Sequence, residues 1–322
     1  MTSAAIVRLA RLSEATWGGV EAHPPNNGPM MNAHTQERII VRGLVFMPRR
    51  CARPVPGRRS CGGCHTLSKF GLDGKPAGFA VGGLDQTPNA PSTFNVESHI
   101  VLFWQGNVRN EEAKGEQPVA RPTEMVAPIE HDLADVLGRV PRYVQLFREG
   151  FPNDLRPISL KNASEAIEAF ERGLVNNSRW DRFVAGDISA LTLEEKHGLR
   201  VFLKTGCGAC HAGQQVGGTM FQTLGLAYPW PTKAQAAGTG TIPVADRPIL
   251  RGPSLKNIAE TAPYFHDNAT SNLEAAIHLM GHHQLGVELS NEEVDAIAAW
   301  MRSLTGEVEP EYIAVPELPP TG

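Results

Sequence analysis

Two short stretches decide how this 322-residue chain is read: Cys61-Gly-Gly-Cys64-His65 and Cys207-Gly-Ala-Cys210-His211. In each, two thiols two residues apart are followed at once by an imidazole. C-x-x-C-H is the attachment signature for c-type haem: the thiols form thioethers to the vinyl groups, and the histidine reaches the iron as axial ligand. Three other readings compete, namely a redox dithiol, a disulfide in each frame, or one zinc site built from all four thiolates. A dithiol needs no histidine after its second cysteine, and zinc-binding cysteine pairs usually lie about 15–20 residues apart. Here the pairs lie far further apart and the full frame occurs twice, so two covalently bound c-type haems are expected. The fifth cysteine, Cys51, belongs to neither frame and is read as a bystander.

A chain of this length exceeds what one core usually holds, and the repeat divides it. The expected divisions are a disordered N-terminal segment at 1–35, a first cytochrome c-like domain at 36–174, a second at 175–308, and a Pro-rich extended tail at 309–322. Apolar residues make up 41% and charged residues 20% of the chain, which suits a folded globular protein. The net charge of -4 offers no cationic stripe, so neither nucleic acid nor an anionic membrane is an expected partner. No stretch approaches the roughly 20 apolar residues needed to span a bilayer. Within Met1 to Ala22 the apolar patch Ala4 to Val7 is cut by Arg8 and Arg11, so no export signal is readable. Covalent haem attachment normally happens outside the cytoplasm. A periplasmic location is therefore expected all the same, with a misplaced start or a damaged 5′ end as the expected reason for the missing signal.

The fold class expected is mainly α: two cytochrome c-like helical domains, each wrapping one covalently bound haem. Thr192 with Glu195 reads as a capping box, and Leu199, Phe202 and Leu203 supply an apolar face that runs into Gly206 and the second motif. Ser290 with Glu293 repeats that signature before Val294, Ile297, Trp300, Met301 and Leu304, ending near Gly306. Ala163 to Leu174 keeps helical period through Ile167 and Phe170, and Asp132 to Phe147 does so with a break at Pro141. Ala212 to Pro253, rich in glycine, proline and threonine, is expected to be loop around the second haem.

From about Arg59 to Gly306 the chain resembles the bacterial dihaem cytochrome c peroxidases and the related methylamine dehydrogenase maturation enzymes. The resemblance rests on colinear segments: NAPSTFN from Asn89, Phe103-Trp104, PTEM around Glu124, SRWDRFVAGD from Ser178, YFHDN from Tyr264, MGHHQLG from Met280 and LTGE from Leu304. It implies that the first haem binds hydrogen peroxide, while the second, of higher potential, takes electrons from a small donor, a cytochrome c or a cupredoxin. His65 is then the proximal ligand of the peroxidatic haem. His211 and Met280 are the ligands of the electron-transfer haem, since thioether ligation raises the iron potential. A core methionine remains the competing reading of Met280, with His282 and His283 as rival ligands. Glu124 matches the distal glutamate that moves a proton between the peroxide oxygens, with Glu111, Glu112 and Glu116 as local alternatives. Pro118 matches a neighbouring pocket residue. Trp104 matches an aromatic residue between the two haems, a place also compatible with simple packing. Asn89, Thr261 and Pro263 match positions that hold a calcium ion at the domain interface through one amide oxygen and two main-chain carbonyls. Arg251 and His266 match positions near the second haem suited to propionate pairing and structural hydrogen bonding. Members of this family are often dimers, which implies a homodimer.

The sequence also departs from the family. The loop Thr66 to Ser98 contains no histidine to cap the resting peroxidatic haem; Val81 stands about where one is found, and His99 falls later. That haem is therefore expected to be five-coordinate or water-bound without prior reduction. Gln105-Gly106-Asn107 replaces the usual Asp-Gly-Arg, and Lys114 replaces an expected glutamine and is read as solvent-facing. Alternatives to a peroxidase are a maturation-type oxidase of a protein substrate, which a tyrosine in place of Met280 would have favoured, and a non-catalytic dihaem electron carrier, which Glu124 opposes.

Overall fold

Capping side chains set where the helices of the C-terminal half begin. The computed structural model describes residues 61–72, 74, 89–96, 99, 103–104, 137–171, 173–231 and 247–313. Its α-helices are α1 (Cys61–Cys64), α2 (Pro141–Gly150), α3 (Leu160–Glu171), α4 (Arg179–Ala185), α5 (Leu193–Lys204), α6 (Leu273–Met280), α7 (Asn291–Arg302) and α8 (Pro310–Ile313). Among the described residues the sheet is limited to β1 (Phe221–Thr223) and β2 (Ile249–Arg251), so the chain is mainly α.

The described residues divide into two compact units. One holds Asn176–Glu307 with His99, Phe103 and Trp104; the other holds the remaining residues before Asn176 and after Glu307. In the first of these, α5 starts because Thr192 Oγ1 accepts from Glu195 N at 3.2 Å while the Glu195 carboxylate accepts from Thr192 N at 2.8 Å. Helix α7 starts in the same way from Ser290 and Glu293. A third box, Ser178 with Asp181, starts α4. Asp181 also holds Lys256, whose side chain is only 2% exposed and donates to Ser178 Oγ at 3.0 Å, so the Lys256 charge is not buried alone.

Helices α5 and α7 cross over a shared core of Trp180, Phe183, Leu199, Phe202, Ile297, Trp300 and Leu304. The Phe202 and Trp300 rings lie 4.5 Å apart, and Trp180 meets Trp300 edge-on at 5.6 Å. The crossing is close because position 198 is glycine: a Cβ there falls 1.8 Å from Ala296 O. The buried face of α5 therefore centres on Gly198 and Phe202. Leu203, expected on that face, lies at its edge and is 40% exposed.

The other unit packs Leu67, Phe94, Leu137, Tyr143, Phe147, Phe170 and Leu174 around α2 and α3. Pro141 opens α2 at a position where its missing N–H costs nothing.

Three expectations change. The stretch Ala212 to Pro253 is not loop throughout, because β1 and β2 pair antiparallel with Phe221 opposite Arg251 and Thr223 opposite Ile249. The tail is not extended from its start, because Pro310 is tolerated at a helix N-terminus and Ile313 packs on the α2–α3 core. Trp104, assigned by chain order to the first domain, packs with the second motif's unit, where Arg251 N donates to Trp104 O at 2.8 Å.

Gly198→Ala is expected to lower the stability of the haem-loaded protein by about 1–3 kcal/mol or more through overpacking. A denaturation midpoint equal to wild type in a chemical melt contradicts the close crossing.

Candidate haem sites

Each motif histidine turns Nδ1 toward a backbone carbonyl. In one unit, α1 carries Cys61 and Cys64, and His65 Nδ1 lies 3.0 Å from Gly71 O. Ser92, from the Asn89 segment, braces that turn by donating to Phe70 O at 2.7 Å. In the other unit, α5 ends at Lys204 and a 3₁₀ turn, Cys207–Ala209, presents the motif. The amides of Cys210 and His211 both donate to Cys207 O, at 3.2 and 3.0 Å, and His211 Nδ1 lies 3.1 Å from Pro253 O.

A carbonyl can only accept, so Nδ1 carries the proton in both rings and Nε2 is left with the lone pair that binds a metal. Burial pushes the His211 pKa down, against hydrogen bonds to Pro253 and Val216, which favours the neutral ligating form. Burial also pushes the Cys207 and Cys210 thiols up. That is opposite to the depressed thiol of a redox dithiol. Among the described residues no group of three or more His, Cys, Asp or Glu side chains converges as a metal-ion site, and Cys64, Cys207 and Cys210 are free thiols. Cys207 and Cys210 are therefore not paired as a disulfide.

The carbonyl that holds His211 belongs to the tripeptide Arg251-Gly252-Pro253 at the end of β2. Arg251 is 7% exposed, its Nε donates to Phe103 O at 3.4 Å, and its buried Nη1 has no hydrogen-bond partner among the described residues. Burial pushes its pKa down to about 10. A buried guanidinium N–H without an acceptor is costly, and a haem propionate is an acceptor of the right charge. The residues of this unit thus fit a covalently held haem. Gly217 makes the approach of the loop possible: at φ +130° a Cβ falls 2.1 Å from Pro253 O and 3.1 Å from His211 Nδ1.

Met280 is the last residue of α6, which shares its core with α5 through Leu273, Ala276 and Ile277, and it is half-buried. Its rivals, His282 and His283, follow in the π-helical turn Gly281–Leu285. His282 stacks on Tyr228 at 4.7 Å and pairs through Nδ1 with Glu288, and His283 Nδ1 faces Tyr228 O at 3.3 Å. His266 meets Trp104 edge-on at 6.2 Å; burial pushes its pKa down, with Asp267 pulling the other way. Asn89 is buried in the α2–α3 unit, whereas Thr261 and Pro263 follow the 3₁₀ turn Ile258–Glu260 in the other. Glu124, Pro118, Lys114, Val81, Cys51, the alternative glutamates and Gln105 to Asn107 lie outside the described residues.

Residues 54–189 match the di-haem cytochrome c peroxidase family, and residues 196–305 match the cytochrome c family. A cytochrome c551 peroxidase of Nitrosomonas europaea is 35% identical over 308 residues, 94% of this chain and 87% of that protein. The chain belongs to the di-haem cytochrome c peroxidase family. As a member it carries two c-type haems, at the two motifs just described. The methylamine utilization protein MauG of Methylorubrum extorquens is 28% identical over 90% of this chain and 84% of its own length. The crystal structure of a MauG-like protein associated with microbial copper homeostasis aligns with a TM-score of 0.74 at 25% identity, covering 93% of this chain and 99% of that one.

Sequence reasoning did not find Gly71 and Pro253, because a main-chain carbonyl carries no residue signature. In Gly217→Ala the Pro253 carbonyl is expected to move off His211, weakening the imidazole as a donor and raising the midpoint potential of the second haem, with the first unchanged. Potentiometric titration reads both, and an unaltered second potential contradicts the role given to that bond.

Proposed function

We propose that this di-haem peroxidase family member reduces hydrogen peroxide to water, H2O2 taking two electrons and two protons to give two waters. The electrons come from a cytochrome c or a cupredoxin. The observation that carries the reading is the pair of C-x-x-C-H frames whose histidines both commit Nδ1 to a backbone carbonyl. The haems, when bound, supply the peroxide-binding metal and the redox store.

The chain's own residues do the rest. His65 would hold the iron of the first haem through Nε2, and the stretch from Thr66 to Ser98 carries no second histidine. Glu124 accepts a proton from one peroxide oxygen and delivers it to the other, which leaves as water, and Pro118 borders that pocket. Trp104 provides an aromatic step for electrons passing between the haems. His211 and Met280 would hold the iron of the second haem, where a thioether would keep its potential high. Arg251 pairs with a propionate, and His266 supports the surrounding hydrogen bonds. The oxygen donors expected at Asn89, Thr261 and Pro263 are of the hard kind that would suit calcium. Haem attachment and function are periplasmic, and the active form is a homodimer.

A second reading, oxidation of a protein substrate, is favoured by the likeness to MauG. Methionine rather than tyrosine at position 280 argues for the peroxidase.

Glu124→Gln is expected to cut peroxide turnover about 10²- to 10⁴-fold while both haem spectra stay as in wild type. Equal turnover in the two proteins removes Glu124 from the chemistry, and no turnover in either supports an electron carrier instead. The oxidised wild type is expected to show no protein sixth ligand at the first haem and no need for prior reduction; a second axial histidine in its EPR spectrum contradicts this.

A further inference from the structure

We infer that Arg251 is a positioning residue that couples haem attachment in the C-terminal unit to the seating of Trp104. This rests on the propionate pairing proposed above and goes beyond it. Strand β2 has two edges. On one, the ladder to β1 continues with Gly252 N donating to Met220 O at 2.9 Å; on the other, Arg251 N donates to Trp104 O at 2.8 Å. The Arg251 side chain returns to the same segment through Nε and Phe103 O.

His99 approaches from that segment as well. A Cβ at Gly218 falls 2.9 Å from the His99 ring and 3.5 Å from Arg251 Nη1, so glycine at 218 lets the two come near each other. One residue therefore grips Phe103 and Trp104 through main chain and side chain together. Its buried Nη1 has no acceptor among the described residues.

The guanidinium is a rigid planar fork, so fixing one nitrogen aims the others. A carboxylate at Nη1 holds that fork and directs Nε at Phe103 O, where the 3.4 Å separation leaves room to tighten. The carboxylate within the chemistry of this unit is a propionate of the haem held at Cys207 and Cys210, whose ligand His211 is anchored by Pro253, two residues after Arg251. Loading the second haem thus locks Trp104 in place.

The test uses protein matured with both haems, verified by mass, and compares wild type with R251Q and R251K. Hydrogen exchange of the residue-251 amide, corrected for intrinsic rate, reports its bond to Trp104 O, and potentiometry reports the second haem. In R251Q that amide and peptides containing Phe103 and Trp104 are expected to exchange at least about ten-fold faster. The second potential is expected to fall, because a neighbouring positive charge is lost. In R251K the charge remains, so the potential stays near wild type, whereas exchange stays fast because an ammonium lacks the fork. Unchanged exchange in R251Q overturns the positioning role, and an unchanged potential overturns the carboxylate contact. If either variant fails to take up the second haem, wild type matured under limiting haem decides the matter. Protection at Phe103 and Trp104 is then expected in the two-haem species alone, and equal protection in the species loaded only at Cys61 and Cys64 overturns the coupling. Peroxide turnover enters none of these readings, so the failure of the peroxidase assignment is distinguishable from the failure of this one.

Discussion

The hydrogen bond from a histidine Nδ1–H to a backbone carbonyl is the constraint on which the rest of this structure depends. It fixes the tautomer, turns Nε2 into the ligating atom and strengthens the imidazole as a donor. In one unit the acceptor is Gly71, six residues after the histidine; in the other it is Pro253, forty-two residues after. The first bond needs only a local turn. The second needs a loop, a two-stranded ribbon and a glycine without a Cβ to bring the carbonyl home.

That difference explains how the C-terminal unit is built. Helix α5 delivers the motif and α7 crosses it at Gly198, where the burial of Trp300 and Phe202 supplies several kcal/mol by order of magnitude. Strand β2 ends in the tripeptide that serves both the ligand, through Pro253, and a buried cationic donor, through Arg251. The ribbon is short, yet it is the part of the fold that gathers ligand anchor, guanidinium and Trp104 in one unit.

Much of this was legible in the sequence, where local chemistry decides. The motifs located the haem attachment points, and the boxes at Thr192 and Ser290 marked the starts of α5 and α7. The box at Ser178 escaped because aspartate stands where the pattern asks for glutamate or glutamine. Leu203 was misplaced because periodicity weighs large residues, whereas the face of α5 centres on a glycine. The packing of Trp104 with a unit that begins some seventy residues later is a long-range contact that no local pattern encodes. The histidine anchors are main-chain atoms and leave no trace in residue identity, and Glu124 and Pro118 rest on resemblance alone.

The account stands or falls with the covalent chemistry of the two cysteine pairs. Mass spectrometry of peptides from protein matured in a periplasm with haem-attachment machinery reads it directly. One haem on the peptide holding Cys61 and Cys64 and one on that holding Cys207 and Cys210 is the predicted result; unmodified thiols at either pair contradict it.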